Sequence, residues 1–352
     1  MVSGSNLELL LEQGHFVVCG EMSPPQGADK APILKKCGYF RDVVDAINLT
    51  DNQTAIVRMS SVMSSVFALE GGVEPIMQMT CRDRNRLAQQ SDILAAYAAG
   101  VKNILCLTGD YMTFGNHPDA KGVFDLDSVQ LIRTIADMND GKFMSGDEIK
   151  PPPAMFIGGA ANPFAEPFDL RIIRLGKKIA AGANFIQTQP VFDFPRFERW
   201  MSAVRDEGYS EQVSILAGVM PVRSVRALLH MRDNVPGSCI ADEYIKRMES
   251  VANSKEDSAE MGVEMAVEMI RRLKQIPGVK GVHIMPVMWE SITPRLVEES
   301  GLLPRPKPQT PVPCHSADPR HSEPDCHSKP DPCHSERSEE SAVSPTATGA
   351  QV

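Results

Sequence analysis

Ile104-Leu105-Cys106-Leu107-Thr108-Gly109-Asp110 is a run of four apolar residues that breaks into a hydroxyl, a glycine and a carboxylate. A run so short and uniform reads as a strand buried on both faces, the kind found in parallel sheets. The same grammar recurs on both sides of it. Upstream, Phe16–Val18 leads to Gly20-Glu21, Val43–Ile47 to Asn48-Leu49-Thr50-Asp51, and Ile76–Met79 to Thr80-Cys81. Downstream, Met155–Ile157 leads into a turn at Gly158–Pro163, and Phe185–Ile186 into Gln187-Thr188-Gln189. Ile215–Val219 then meets Met220-Pro221, and Val282–Met285 meets Pro286. Stretches of helical period, such as Leu87–Ala98 and Ile172–Ala181, separate consecutive runs. Strand then helix, repeated eight times, predicts an α/β chain folded as a (β/α)8 TIM barrel. Such barrels build their sites where strands end, so the polar residues closing each run are candidate catalysts.

Composition narrows the function classes. The 352 residues carry a net charge of −9, which argues against a nucleic-acid partner because phosphate backbones select clustered Lys and Arg. A small anionic ligand held by a few local cations stays compatible with that charge. No segment approaches the roughly 20 apolar residues of a membrane span. Met1 to Gln13 lacks a basic start and carries Glu8 and Glu12 among its leucines, so it does not read as a signal peptide. A cytoplasmic location is expected. The scattered Cys19, Cys37, Cys81, Cys106 and Cys239 fit that, since none forms a close pair suggestive of a disulfide framework.

Leu303 is the last Leu, Ile, Met or aromatic residue. The reading therefore divides the chain into a barrel over residues 1–303 and a disordered low-complexity tail over 304–352, too poor in large apolar groups to form a core. Truncation after Pro304 is expected to leave stability unchanged. Cys-His-Ser recurs at Cys314, Cys326 and Cys333. Both residue types ligate zinc, but adjacent Cys-His pairs lack the spacing of zinc modules, so no metal is assigned. Two longer connections, Asn139–Pro153 and Pro236–Ser258, are placed on the helix-to-strand side, away from the site.

Among the strand-end residues, Glu21 lies before Met22-Ser23-Pro24-Pro25, whose prolines end the strand. A carboxylate in a barrel mouth is partly desolvated and suits a general acid; the ordinary alternative is a Glu paired with a nearby Arg. Asp110 follows Gly109, which lets a ligand approach the backbone; its ordinary role is a turn or helix cap. Thr50 and Asp51, Thr80, and Gln187 with Gln189 add donors and acceptors suited to a flat heterocycle with alternating N–H and C=O groups. Lys177 and Lys178 read by default as solvated surface, with phosphate binding the alternative. Dinucleotide fingerprints, P-loops, His-Glu-x-x-His and Gly-x-Ser-x-Gly are all missing.

At these residues the chain resembles methylenetetrahydrofolate reductases, flavin-dependent barrels of one-carbon metabolism and methionine biosynthesis. The resemblance covers roughly Leu7 to Pro304. Gly20-Glu21-Met22-Ser23-Pro24-Pro25 resembles the family's opening Glu and Pro-Pro segment, and Met79-Thr80-Cys81 its Leu-Thr-Cys strand. Leu107-Thr108-Gly109-Asp110 is similar to its Arg-Gly-Asp strand end. Ala180–Asn184 with Thr188-Gln189, and Gly218-Val219-Met220-Pro221-Val222, complete the ordered set. The expected form is the short, bacterial type, without a counterpart to the eukaryotic regulatory domain.

That resemblance implies an FAD-dependent oxidoreductase that reduces 5,10-methylenetetrahydrofolate to 5-methyltetrahydrofolate, hydride passing from a donor to flavin N5 and on to the folate. Two half-reactions on one flavin imply ping-pong kinetics. By the same resemblance Glu21 is the general acid that opens the five-membered ring. Asp110 lies near flavin and pterin, contacts the folate and biases the flavin's electronics. Gln189 binds folate, while Thr50, Thr80, Asn162 and Lys178 join Asp110 around FAD.

Departures from the family pattern gather near flavin and donor. Gln78 stands where many members have His, Thr108 where they have Arg, Ala161-Asn162-Pro163 where they have a His-Pro turn, and Val225 where some have a stacking Phe. They resemble short reductases that work beside an iron–sulfur or zinc partner. NADH, NADPH or a protein donor, and a homo-oligomer or hetero-complex, are the expectations. Two rival functions stand beside this one: a pterin-binding barrel methyltransferase without flavin, and a non-catalytic flavin- or folate-binding subunit. A yellow protein separates the first rival at once.

Overall fold

The computed structural model describes residues 3–235 and 237–309. Eight parallel strands close into a barrel in chain order. They are β1 (Val17–Met22), β2 (Ala46–Leu49), β3 (Pro75–Thr80), β4 (Asn103–Leu107), β5 (Phe156–Ala161), β6 (Phe185–Pro190), β7 (Ser214–Val219) and β8 (Val279–Ile284). Each overlaps one of the eight apolar runs, β1, β2, β5 and β6 extending into the residues that follow their runs, and β1 pairs with β8 through Val17↔Gly281 to Gly20↔Ile284. Helices such as Arg86–Ala98, Ser128–Asn139 and Phe168–Ala181 cover the outside. Among the described residues no helix is long and apolar enough to cross a membrane.

The barrel interior is layered, as alternation along each strand requires. Low in the barrel, Val17, Cys19, Ala46, Ile76, Leu105, Phe156, Phe185 and Leu216 pack with Leu7 and Leu10 of the helix Asn6–Glu12, which plugs the floor. Phe156 and Phe185 stack with centroids 5.2 Å apart. Gly158 makes room for this pair: a Cβ there would lie 2.3 Å from the Phe185 ring. The glycines read as a Gly158–Pro163 turn are therefore interior strand residues up to Ala161, and the turn reading is corrected.

Above the apolar layer the interior becomes polar. Asn48 on β2 and Gln187 on β6 exchange two amide hydrogen bonds across the barrel, 2.6 and 3.0 Å, and both are buried. Single unpaired amides at this depth would each cost about 1–3 kcal/mol, so the reciprocal pair is what makes a polar floor to the mouth tolerable.

Two boundaries differ from the sequence reading. Residues 304–309 belong to the compact barrel unit, which runs to Gln309. Arg305 reaches under the barrel, donating to Asp45 Oδ1 at 3.1 Å and to the Phe16 carbonyl at 2.8 Å. One arginine with a buried partner anchors this stretch where apolar residues are lacking. The remaining tail, with Cys314, Cys326 and Cys333, lies outside the described residues. The second correction concerns the segment after β7. Residues 237–258 hold the helix Asp242–Glu249 and sit on the strand-end side: Ile240 bridges to Phe192 beyond β6, and Gly237 packs against the Asn162 side chain beyond β5. Asn139–Pro153 does not keep wholly to the far side: its tip, Phe143–Ser145, lies beside Asn85, Arg86 and Asp125 in the connections that follow β3 and β4, and the Met144 amide donates to Gln90 near the start of the helix Arg86–Ala98.

Candidate active site

Of the residues given a role by the resemblance, Glu21, Thr50, Thr80, Asp110, Asn162 and Gln189 lie at or just after the C-terminal ends of strands, and Lys178 reaches the end of β5 from the helix Phe168–Ala181; they fall in three neighbourhoods. The first is the inner wall. Glu21 on β1 keeps 11% of its side chain exposed and has no Arg partner among the described residues. Its Oε2 accepts from Gln78 Nε2 on β3 at 3.3 Å and lies 3.4 Å from His283 Nε2 on β8. The departure at Gln78 thus retains a donor to the carboxyl. His283 was not singled out in the sequence: a lone His in an apolar strand ordinarily reads as core. Its Nδ1 is buried without a hydrogen-bond partner.

The second neighbourhood surrounds the ends of β2, β3 and β4. Asp51 is buried and accepts from the Thr80 amide (2.9 Å), the Thr80 hydroxyl (3.0 Å) and Arg84 Nη1 (2.7 Å). The Thr80 hydroxyl proton is therefore committed to Asp51, leaving only its lone pairs for a ligand. Thr50 differs, because its Oγ1 is buried with no partner at all. Asp110 is exposed, makes no side-chain hydrogen bond among the described residues, and so is not a cap. Its carbonyl accepts from Arg82 Nη1 at 3.3 Å, and Arg82 also donates to Asn52 O and to Asp83. Gly109 has φ +95°, and a Cβ there would lie 2.9 Å from Arg82 Cβ, so any other residue would push Asp110 out of place. Thr108 accepts from the Ser128 amide at 3.3 Å, a helix-start contact.

The third neighbourhood lies around the end of β5. Lys178 is buried and donates to the Ala160 carbonyl, while Lys177 is exposed. The surface default thus holds for one lysine and fails for its neighbour. Burial, reinforced by the Arg174 charge, lowers the Lys178 ammonium to about 8. A small cleft beside it is lined by Asn162, Arg171, Arg174, Lys178 and Trp200, with no carboxylate in its wall. Arg171 Nε and Trp200 Nε1 are buried there without partners. Asn162 is half-tied, its Oδ1 accepting from the Phe164 amide at 2.9 Å. Gln189 ends β6 exposed, and Val225 packs on the core at the start of the helix Val225–Asn234. Among the described residues no cluster of three or more His, Cys, Asp or Glu could hold a metal ion.

A family model, methylenetetrahydrofolate reductase, matches residues 6–301. Among curated relatives, methylenetetrahydrofolate reductase 1 of Schizosaccharomyces pombe is 26% identical over 233 residues, 66% of this chain and 36% of that protein. The 5,10-methylenetetrahydrofolate reductase of Pectobacterium carotovorum subsp. carotovorum is 23% identical over 282 residues, covering 79% of this chain and 88% of that one. The chain thus spans about a third of the fungal relative and most of the bacterial one. Among solved structures, an uncharacterised protein from Clostridium thermocellum that binds two copies of 5-methyl-5,6,7,8-tetrahydrofolic acid superposes with a TM-score of 0.58 at 15% identity, covering 83% of this chain and 98% of that one. The match from residue 6 to 301 settles membership: this chain belongs to the methylenetetrahydrofolate reductase family.

Proposed function

We propose that this chain is an FAD-dependent enzyme of the cytoplasm that reduces 5,10-methylenetetrahydrofolate to 5-methyltetrahydrofolate. The observation that carries the reading is Glu21: a carboxyl in the mouth of a family barrel, with one oxygen accepting from Gln78 and no hydrogen bond on the other among the described residues. The folate-binding Clostridium thermocellum protein, of the same fold, is consistent with a pterin ligand.

The residues present fit FAD. The polar side chains of the cleft, Arg171, Arg174, Lys178 and Trp200 beside Asn162, supply donors and positive charge with no carboxylate among them, which suits an anionic diphosphate. The buried, unpartnered Thr50 Oγ1 and the free lone pairs of Thr80 offer further contacts at the neighbouring strand ends. When bound, FAD supplies the two-electron carrier that no side chain provides. The chain's own residues do the rest. Glu21 holds the proton that the leaving nitrogen takes as the folate ring opens, Gln189 and Asp110 bind the folate, and Asp110 sets a negative charge near both ligands.

The test is to reconstitute the protein with FAD, record its absorption spectrum, and add NADH, NADPH or reduced ferredoxin anaerobically in turn. The reading expects a flavin band that one donor bleaches and methylenetetrahydrofolate restores. Protein that stays colourless with excess FAD would overturn it.

A further inference from the structure

Glu21 has a partner that the functional reading does not use. His283 Nε2 lies 3.4 Å from Glu21 Oε2, and Gln78 Nε2 lies 3.3 Å from the same oxygen. Gln78 donates a hydrogen bond to that oxygen, and His283 Nε2 stands beside it as a close polar contact; a carboxylate there favours an N–H over a lone pair on the facing nitrogen. For His283 this favours the proton on Nε2. The alternative tautomer would bury a bare N–H at Nδ1, which has no partner, and would set the Nε2 lone pair against the carboxylate. The ring cannot easily turn away, since His283 is 3% exposed on β8 between Cys19 of β1 and Gly218 of β7.

We propose that His283 is a positioning residue for Glu21: it closes on the Oε2 that Gln78 already holds, tightening to a hydrogen bond as charge develops there, and thereby makes Oε1 the oxygen that carries and delivers the proton. The inference rests on the proposed reductase reaction. As the C–N bond of the folate's five-membered ring breaks, its electron pair stays on nitrogen, which takes the proton from Oε1. The ring carbon becomes the iminium carbon, and the carboxylate left behind meets the Gln78 N–H and, on the proposal, the His283 N–H at Oε2. Without His283, Oε2 loses one of its two donors and the proton can settle on either oxygen.

Hydrogen bonds to a charged group are worth about 10–100-fold in an equilibrium or rate. The experiment uses the full chain reconstituted with FAD and has two arms. In the first, ring 15N shifts of His283, assigned with H283Q, report the tautomer; the expected result is Nε2–H, with a changed environment in E21Q. In the second, flavin is reduced and mixed with methylenetetrahydrofolate. H283L should slow this reaction about 10–100-fold with flavin content unchanged, and H283Q, which keeps a donor, should recover most of the loss. In an E21Q background H283L should cost no more than about twofold further, because its effect passes through Glu21. An Nδ1–H tautomer, or an H283L rate equal to wild type, would overturn the proposal. If H283L does not fold, the tautomer decides alone, Nε2–H supporting the contact and Nδ1–H refuting it. Wild-type protein unable to reduce methylenetetrahydrofolate would instead sink the functional reading, while the tautomer would still decide the His283 contact.

Discussion

The two ends of this barrel treat buried polar groups in opposite ways. At the N-terminal floor, Asp45 accepts from the Val18 amide at 2.7 Å and from Arg305, while Glu74 accepts from the Asn6 and Leu7 amides and from Asn103 Nδ2. These carboxylates cap the plug helix and tie down the last described residues, although Asn103 Oδ1 stays unpartnered. At the C-terminal mouth, Thr50 Oγ1, His283 Nδ1, Arg171 Nε and Trp200 Nε1 are buried without partners, and Asp110 and Gln189 stand exposed. An unpaired buried group costs roughly 1–3 kcal/mol; on the proposed function, those at the mouth are groups that a bound ligand would satisfy.

Breaking the mouth should cost turnover and leave the fold intact. Glu21→Gln keeps size and hydrogen bonding but removes the transferable proton, and loss of a general acid typically costs about 10²–10⁴-fold. That loss is expected when reduced flavin is mixed with methylenetetrahydrofolate in a stopped-flow cell, while reduction of the flavin by its donor stays near wild type. Asp110→Asn should slow both halves, because it alters the flavin's surroundings as well as the folate contact. Equal slowing of both halves by Glu21→Gln would assign that residue to site shape.

Breaking the floor should do the reverse. The Arg305–Asp45 pair is buried, with 7% and 1% of the two side chains exposed, and removing one partner of such a pair costs about 3–5 kcal/mol. Truncation after Pro304 or Arg305→Ala should therefore lower the thermal midpoint. Truncation after Gln309 should not. At low temperature the Arg305→Ala protein should still bind FAD as wild type does.

A smaller effect separates Lys178 from the solvated lysines. Its ammonium is lowered to about 8 by burial, and an anionic diphosphate stabilises the charged form. Below pH 8 the free protein already carries that proton, so FAD affinity should be flat. Above it, binding must take up a proton, and the Kd should rise by up to about tenfold per pH unit. Lys178→Met should weaken FAD and flatten the profile; an unchanged profile in titrations from pH 7 to 10 would remove Lys178 from the site. The smallest change belongs to Thr50→Val. Its hydroxyl makes no protein hydrogen bond, so stability should hold while FAD affinity falls about two- to tenfold, one neutral hydrogen bond's worth.

The alternation of strand and helix was legible because each strand is a brief apolar run ending in polar residues, a local signal. Contacts between distant segments were not. Whether residues 237–258 rise to the mouth depends on Ile240 pairing with Phe192, and Gly158 reads as a turn until the Phe185 ring is seen in the space it leaves. Glu21 was visible from its place at a strand end, whereas His283 becomes informative only beside Glu21, on a strand at the other end of the sequence. Lys178 and Lys177 look alike in sequence; the packing of one helix face tells them apart. Arg305 was read with the tail because a single cation carries no periodicity.

The central claim is that the mouth passes electrons to a folate through bound FAD with Glu21 as acid. Anaerobic single turnover tests it most directly: FAD-loaded protein is photoreduced, mixed with methylenetetrahydrofolate, and followed by absorbance and product analysis. The account predicts return of the oxidised-flavin band with one 5-methyltetrahydrofolate formed per flavin, and a rate reduced about 10²–10⁴-fold in Glu21→Gln. A band that stays bleached in wild type, or returns without 5-methyltetrahydrofolate, would contradict it.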